Sequence, residues 1–286
     1  MLSTYFLVSH GSRDPRSRLE LQSLAKILSK KILTGYSRSN NLDLLQCPQI
    51  ISTGVLELGP KCLHEQIEDF WKYTRSLNIN QLEIIPLFLL PGVHVKEDIP
   101  TEIEIFQQKL KAASPDMIFD QEESFDRAEA NLQRNTPIKI NLCPYIGVHR
   151  DMTSLLGRKI TPVKADAWVI VSHGSRRPGS NEVVEKIALS LASSCDVFVC
   201  DAYWSVPPDL NSRVEMLVEQ GYGKIGILPY FLFKGSITDA IADRVNELAK
   251  VYPTVKFHLA EPLGATEELA KLVMDLVGLD QVDGYV

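Results

Sequence analysis

The sequence has no Cys-x-x-Cys pair, no apolar run of membrane-spanning length and no excess of basic charge. Each absence removes a class of function. Its five cysteines, Cys47, Cys62, Cys143, Cys195 and Cys200, are scattered and odd in number. That pattern excludes a disulfide framework and a thiolate zinc site, and it is the one expected of reduced thiols in a cytoplasmic protein. The apolar stretch LEIIPLFLLPGV is interrupted by Pro86 and Pro91, well short of the ~20 residues a membrane helix needs. A net charge of −6 argues against general nucleic-acid binding, which calls for a basic face. The N-terminus shows no basic region, apolar core and cleavage site of a secretory signal. What is present, 45% hydrophobic and 23% charged residues over 286 positions, suits a globular protein with two domains, each able to bury its own core.

One phrase occurs twice. YFLVSHGSRDPRS begins at Tyr5 and WVIVSHGSRRPGS at Trp168, so that His10 recurs 163 residues later as His173. After each phrase comes a helical pattern, with Leu21, Leu24, Ala25 and Leu28 in the first copy and Val184, Ile187, Ala188 and Leu191 in the second. The repeat continues as helix, turn and buried strand, with Pro86 matching Pro229 and Gly221 ending a helix as its C′ residue. IKINLCPYIG and VKFHLAEPLG then match near the end of each half. Strands alternating with helices predict βαβ units and a parallel sheet in each half.

The spacing between matched residues shortens from 163 to 143 at Pro86/Pro229 and to 117 at Gly147/Gly264, so the first half carries additions of 20 and 26 residues. The first falls near Leu33–Gln46, whose composition suggests a loop. The second falls near Ala112–Thr136 and reads as an exposed added helix. The halves are expected at 1–158 and 166–286, joined around GRKITPVKADA.

In a parallel sheet, ligands collect at the carboxyl ends of the strands. His10 follows one predicted strand, His94 follows a second in PLFLLPGVHVKEDIP, and Glu57 in STGVLELGP follows a third. Two imidazoles and a carboxylate converging there would suit a divalent transition metal, and neutral imidazole is also a base near neutral pH. The plainer alternatives are a capping histidine at His10, an ordinary loop histidine at His94 and a solvated carboxylate at Glu57. His64 reads as a surface or partly packed residue and Trp71 as core. His149 and His258 receive no role.

LVSHGSRDPRS, GVLELGPKCLHEQI and IIPLFLLPGVHVKEDIP together resemble the sirohydrochlorin chelatases, the class II CbiX/SirB group, in a long form with two copies. The resemblance covers almost the whole chain. It implies two tandem α/β chelatase-like domains, each a parallel sheet flanked by helices, facing each other across a cleft. It implies insertion of Co²⁺ or Fe²⁺, with Ni²⁺ also compatible, into sirohydrochlorin, the metal being substrate and no cofactor being permanently bound. His10 matches the family's metal ligand and proton acceptor, and His94 its second metal ligand. Glu57 matches a glutamate that contacts the site, although Gly54 replaces the usual alanine before it. Leu89, Leu90, Pro91, Gly92, Val93 and His94 match the loop that lines the tetrapyrrole. The substrate's eight carboxylates call for cations such as Arg13, Arg16 and Arg18 beside His10, and Arg176 and Arg177 beside His173. A solvated helix start is the alternative for Arg16 and Arg18.

The second copy keeps His173, but Ile237 falls opposite His94, and Trp204 or Ser205 opposite Glu57. One metal site per chain is therefore expected, with the C-terminal half walling the cleft. A non-catalytic metal or tetrapyrrole carrier is the competing function. A histidine phosphatase is disfavoured because Ser9 stands where its arginine would be, and an α/β-hydrolase because no G-x-S-x-G occurs. The fused halves are expected to act as a monomer, a homodimer being the alternative. Neither nucleic acid nor membrane is an expected partner.

Overall fold

The structure, a computed structural model, describes residues 3–40, 50–113 and 138–278. In the first half β1 (Thr4–Ser9), β2 (Ile51–Val55), β3 (Gln81–Pro86) and β4 (Lys139–Leu142) form one sheet in the order β2-β1-β3-β4. Every neighbouring pair in it is parallel. In the second half β5 (Ala167–Ser172), β6 (Phe198–Tyr203), β7 (Lys224–Pro229) and β8 (Lys256–Leu259) repeat that order as β6-β5-β7-β8, again all parallel. The two-domain α/β architecture expected from the repeat is the one observed.

The helices are α1 (Pro15–Asn40), α2 (Leu63–Arg75), α3 (Ile99–Ala113), α4 (Met152–Ile160), α5 (Glu182–Cys195), α6 (Leu210–Glu219), α7 (Ser236–Val251) and α8 (Glu267–Leu276). Strand alternation sorts them into layers. Phe6 and Val8 of β1 point outward onto α2 and α3, while Tyr5 and Leu7 point inward. In β5, Val169 and Val171 point outward onto α6 and α7, while Trp168 and Ile170 point inward. The inward sets meet in one continuous core that also holds Leu21, Leu24 and Leu28 of α1 and Val184, Ile187 and Leu191 of α5, all buried.

The last helix of each half crosses to the other. Helix α4 lies against α5, and α8 lies against α1. Gly157 of α4 faces Cys195 and Leu191 of α5, and a Cβ built there would stand at ordinary contact distance from both, 3.4 Å from Cys195 Sγ and 3.9 Å from Leu191 Cδ2. The result is an inner helical layer shared by both sheets.

Helix α1 departs from the sequence reading. Its 26 residues against 14 in α5 carry Leu33–Asn40 as helix rather than loop. Extending a formed helix fixes one residue per added hydrogen bond, and one glycine costs only ~1 kcal/mol against that. Thr34 supports the extension by donating its hydroxyl to the Lys30 carbonyl at 2.6 Å. Residues 41–46, and the added helix expected within 112–136 apart from 112 and 113 at the end of α3, lie outside the described residues. Gly221, at φ +87°, ends α6 as expected. Among the described residues no helix is long and apolar enough to cross a membrane.

Candidate metal centre

The order β2-β1-β3-β4 puts a topological switch point between β1 and β3, where the chain leaves one strand leftward and the other rightward. His10 follows β1, Glu57 follows the adjacent β2, and His94 follows β3. The parallel ladder runs past the strand ends here. Leu56 N–H donates to Ser9 O and Glu57 N–H to His10 O, each at 2.9 Å. This fixes the Glu57 backbone directly beside that of His10. Gly11, at φ +98°, makes the approach possible, because a Cβ there would overlap the Glu57 carbonyl oxygen and stand 3.0 Å from its carbon. Gly54 has an equally local cause: a Cβ would lie 2.5 Å from Phe6 Cε1. The Phe6 ring therefore leaves no room for an alanine at this position.

His10 Nε2 lies 3.9 Å from Glu57 Oε2, with the two side chains 49% and 52% exposed. The His10 and His94 rings stand edge to face, 4.7 Å between centroids and 81° between planes. One donor atom from each of His10, Glu57 and His94 falls within 4.8 Å of the other two, a span that one ion can bridge. His10 Nδ1 is 3.1 Å from the Gly11 carbonyl. As a donor to that oxygen it leaves the Nε2 lone pair facing the cluster.

His94 is not in a loop. Val93 is already helical, and His94–Asp98 form a π-helical turn that runs into α3, the Ile99 N–H donating to His94 O. Such turns widen a helix locally and recur at functional sites. Two neighbours of His94 escaped the sequence reading. Its Nδ1 lies 2.7 Å from Asp98 Oδ2, and the Phe88 ring lies 6.2 Å from its own. Taking HVKED as helix rather than loop would have shown the His-Asp pair at i, i+4.

The other expected site residues divide. Pro91 and Val93 are partly exposed and Gly92 is exposed, with nothing within 4 Å of where its Cβ would be. Leu89 is buried in the shared core and Leu90 packs against it, so these two anchor the loop by their side chains. The loop is gripped by Gly147, whose N–H donates to Phe88 O at 2.9 Å, and from the other half by Tyr230, whose hydroxyl donates to Leu89 O at 3.4 Å. Arg13 and Arg18 are exposed, as are Arg176 and Arg177. Arg16 is committed to structure, because its guanidinium grips Asp14 and reaches Asp239 of α7 in the other half, with Nη1 to Oδ1 at 3.2 Å. Its hydrogen bonds hold both carboxyls below their ordinary range.

In the second half Trp204 N–H donates to Ser172 O and Ser205 N–H to His173 O, each at 2.9 Å. The ladder therefore sets Ser205, not Trp204, opposite Glu57. Its hydroxyl donates to the His173 carbonyl at 2.8 Å, so the position that holds a carboxylate beside His10 holds a serine here.

A second group, His149, Asp151 and Asp275, also has ligand atoms within 4.8 Å of one another. Hydrogen bonding accounts for it. His149, 3% exposed, accepts the Asp151 N–H on Nδ1 at 3.1 Å and donates from Nε2 to Asp275 at 2.8 Å. Arg150 adds a cation 3.5 Å from the same carboxylate. This is a bond between the N-terminal half and α8. His64 likewise serves packing, donating from its backbone and from Nδ1 to Glu102 of α3, at 2.7 and 2.8 Å. Burial raises the thiols of Cys143 and Cys200 to about 12 and about 11. A recess of about 470 Å³ between β2 and α2 shares no residue with the histidine cluster.

The family model CbiX matches residues 4–163 and again residues 167–278. Over 291 residues the chain is 22% identical to a sirohydrochlorin cobaltochelatase of Priestia megaterium, covering 96% of this chain and 78% of that protein. Over 201 residues it is 24% identical to a sirohydrochlorin ferrochelatase of the same organism, covering 68% and 65%. SirB from Bacillus subtilis with Fe³⁺ superposes with a TM-score of 0.66 at 19% identity, covering 97% of this chain and 95% of that one.

Proposed function

The chain belongs to the CbiX family, whose model spans it twice, and from that membership we propose that it inserts a divalent metal ion into sirohydrochlorin. The observation that carries the reading is the meeting of His10, Glu57 and His94 at one switch point, with donor atoms 4.8 Å or less apart. Metal insertion into a tetrapyrrole displaces two pyrrole N–H protons, so a site must present the ion and accept protons on one face. Under this reading His10 and His94 hold the ion through Nε2 and then take protons as it leaves, with Glu57 as an auxiliary acceptor 3.9 Å from His10. Imidazole-plus-carboxylate ligation is of borderline hardness and favours Co²⁺ or Fe²⁺ over Ca²⁺ or Mg²⁺. It does not choose between the two, in keeping with relatives named for each.

The division of labour is part of the proposal. The N-terminal half carries the metal, the exposed Pro91–Val93 edge and Arg13 meet the substrate, and the C-terminal half braces the loop through Tyr230. A single chain, with both halves fused, is the working unit. Incubation with metal-free sirohydrochlorin and Co²⁺ or, anaerobically, Fe²⁺, followed by the tetrapyrrole's visible absorption, tests this directly. Catalytic turnover is expected with wild-type protein and none with His10→Ala or His94→Ala. Stoichiometric binding without turnover would make the protein a carrier and overturn the proposal.

A further inference from the structure

We infer that Asp98 is the positioning residue for His94, fixing its tautomer and ring plane so that Nε2 is the nitrogen offered to the metal. The inference rests on the reading of His94 as a ligand. Neutral imidazole has one N–H and one lone pair, and which nitrogen carries which is decided by the partner of the other. Asp98 Oδ2 sits 2.7 Å from Nδ1. A carboxylate only accepts, so Nδ1 must be the donor, and the lone pair is driven to Nε2.

The π-helical turn gives this contact its geometry. His94 and Asp98 are its first and last residues, closed by the Ile99 N–H to His94 O bond, so the acid stands on the same short turn as the ring it holds. The ring is thereby pinned edge to face against His10 at 4.7 Å, with Phe88 at 6.2 Å on another side. Asp98 does not belong to the group of mutually close donors, which comprises His10, Glu57 and His94. It acts from behind the ring. His10 obtains the same result from a weaker partner, the Gly11 carbonyl at 3.1 Å, so the two imidazoles present equivalent nitrogens from opposite sides of the switch point.

Outer partners of this kind change metal affinity by about 10- to 100-fold. Co²⁺ titration of the full chain, followed by the ion's visible absorption, reads that affinity without any tetrapyrrole. Asp98→Ala is expected to weaken Co²⁺ binding about 10- to 100-fold and to raise KM for the metal. KM for sirohydrochlorin and the thermal midpoint should hold, since the carboxylate is 43% exposed. Asp98→Asn, whose carbonyl still accepts from Nδ1–H, should recover part of the loss. Unchanged affinity in Asp98→Ala would overturn the inference. So would tighter binding, which would make Nδ1 the ligating nitrogen and Asp98 its competitor. His94→Ala measured alongside separates the two levels. Full Co²⁺ affinity in that variant would remove the underlying reading, whereas its loss together with an unaffected Asp98→Ala would remove only the role of Asp98.

Discussion

Replacing Gly11 by alanine should damage stability and chemistry together, while the same change at Gly174 should damage stability alone. Both glycines follow the motif histidine, and both have positive φ, +98° and +79°. A non-glycine residue in that region costs roughly 1–2 kcal/mol, and forcing atoms into a packed position costs about 1–3 kcal/mol more. Alanine's reduced freedom in the unfolded chain returns about 0.4–1 kcal/mol. A net loss of about 2–4 kcal/mol is expected at Gly11.

The obstructing atoms decide the rest. At Gly11 the new methyl meets the Glu57 backbone carbonyl, which no rotamer change can move aside. The ladder bond from Glu57 N–H to His10 O must open, and Glu57 is displaced from the imidazoles. A misplacement near 1 Å is worth on the order of 100-fold in rate. At Gly174 the obstruction is Tyr203 Cβ at 2.6 Å and Val206 Cγ2 at 2.8 Å, beside His173, which is paired on the ladder with Ser205 where His10 is paired with Glu57. Urea denaturation should show a lowered midpoint for both variants, and metal-insertion assays should show the rate loss for Gly11→Ala only. A wild-type midpoint in Gly11→Ala, or equal activity losses in the two variants, would refute the reasoning.

Other outcomes follow from the asymmetry of the halves and from their shared bonds. Metal titration should saturate at one equivalent at the functional site, and His173→Ala should retain substantial activity; a loss as complete as that of His10→Ala, without unfolding, would mean that both halves build one site. The carboxyls of Asp14 and Asp239 are lowered by Arg16, so the stability they contribute is present above their unfolded value, near 3.8, and is lost as pH falls through the lower folded values. The stability difference between wild type and Arg16→Ala should therefore be full at neutral pH and shrink below about pH 4, and a difference constant down to pH 2 would contradict the bridge.

What the sequence made legible was whatever is local or periodic. The doubled SHGSR phrase located two equivalent strand ends, and the spacing of Leu21, Leu24 and Leu28 marked a buried helix face. The convergence of His10, Glu57 and His94 was legible because parallel strands deliver their carboxyl ends to the same edge, and because the motifs around these three residues resemble those of the chelatases. What stayed hidden depended on distant partners or on backbone detail. Arg16 read as either a substrate-facing cation or a solvated helix start because its partner Asp239 is 223 positions away in sequence. Asp98 was passed over because Pro91-Gly92 suggested that the loop continued through His94, whereas the helix begins at Val93. Trp204 and Ser205 were indistinguishable as counterparts of Glu57 until the ladder from Ser172 and His173 chose between them.

The crossing of α4 onto α5 and of α8 onto α1 has a bearing on why a half without its own ligand set persists. Cut between Ile160 and Ala167, the chain would yield two pieces, each missing the helix that the other half lends it. The first would expose part of the α1 face built on Leu21, Leu24 and Leu28, and the second part of the α5 face built on Val184, Ile187 and Leu191. Each piece should therefore be less stable alone than in the fused chain, loss of order in one should spread to the other, and the whole chain should melt in one cooperative step. The diverged half is in this sense a resident chaperone for the half that holds His10, Glu57 and His94. What it contributes is the surface it covers, and its own strand ends can differ in sequence without disturbing His10, Glu57 and His94.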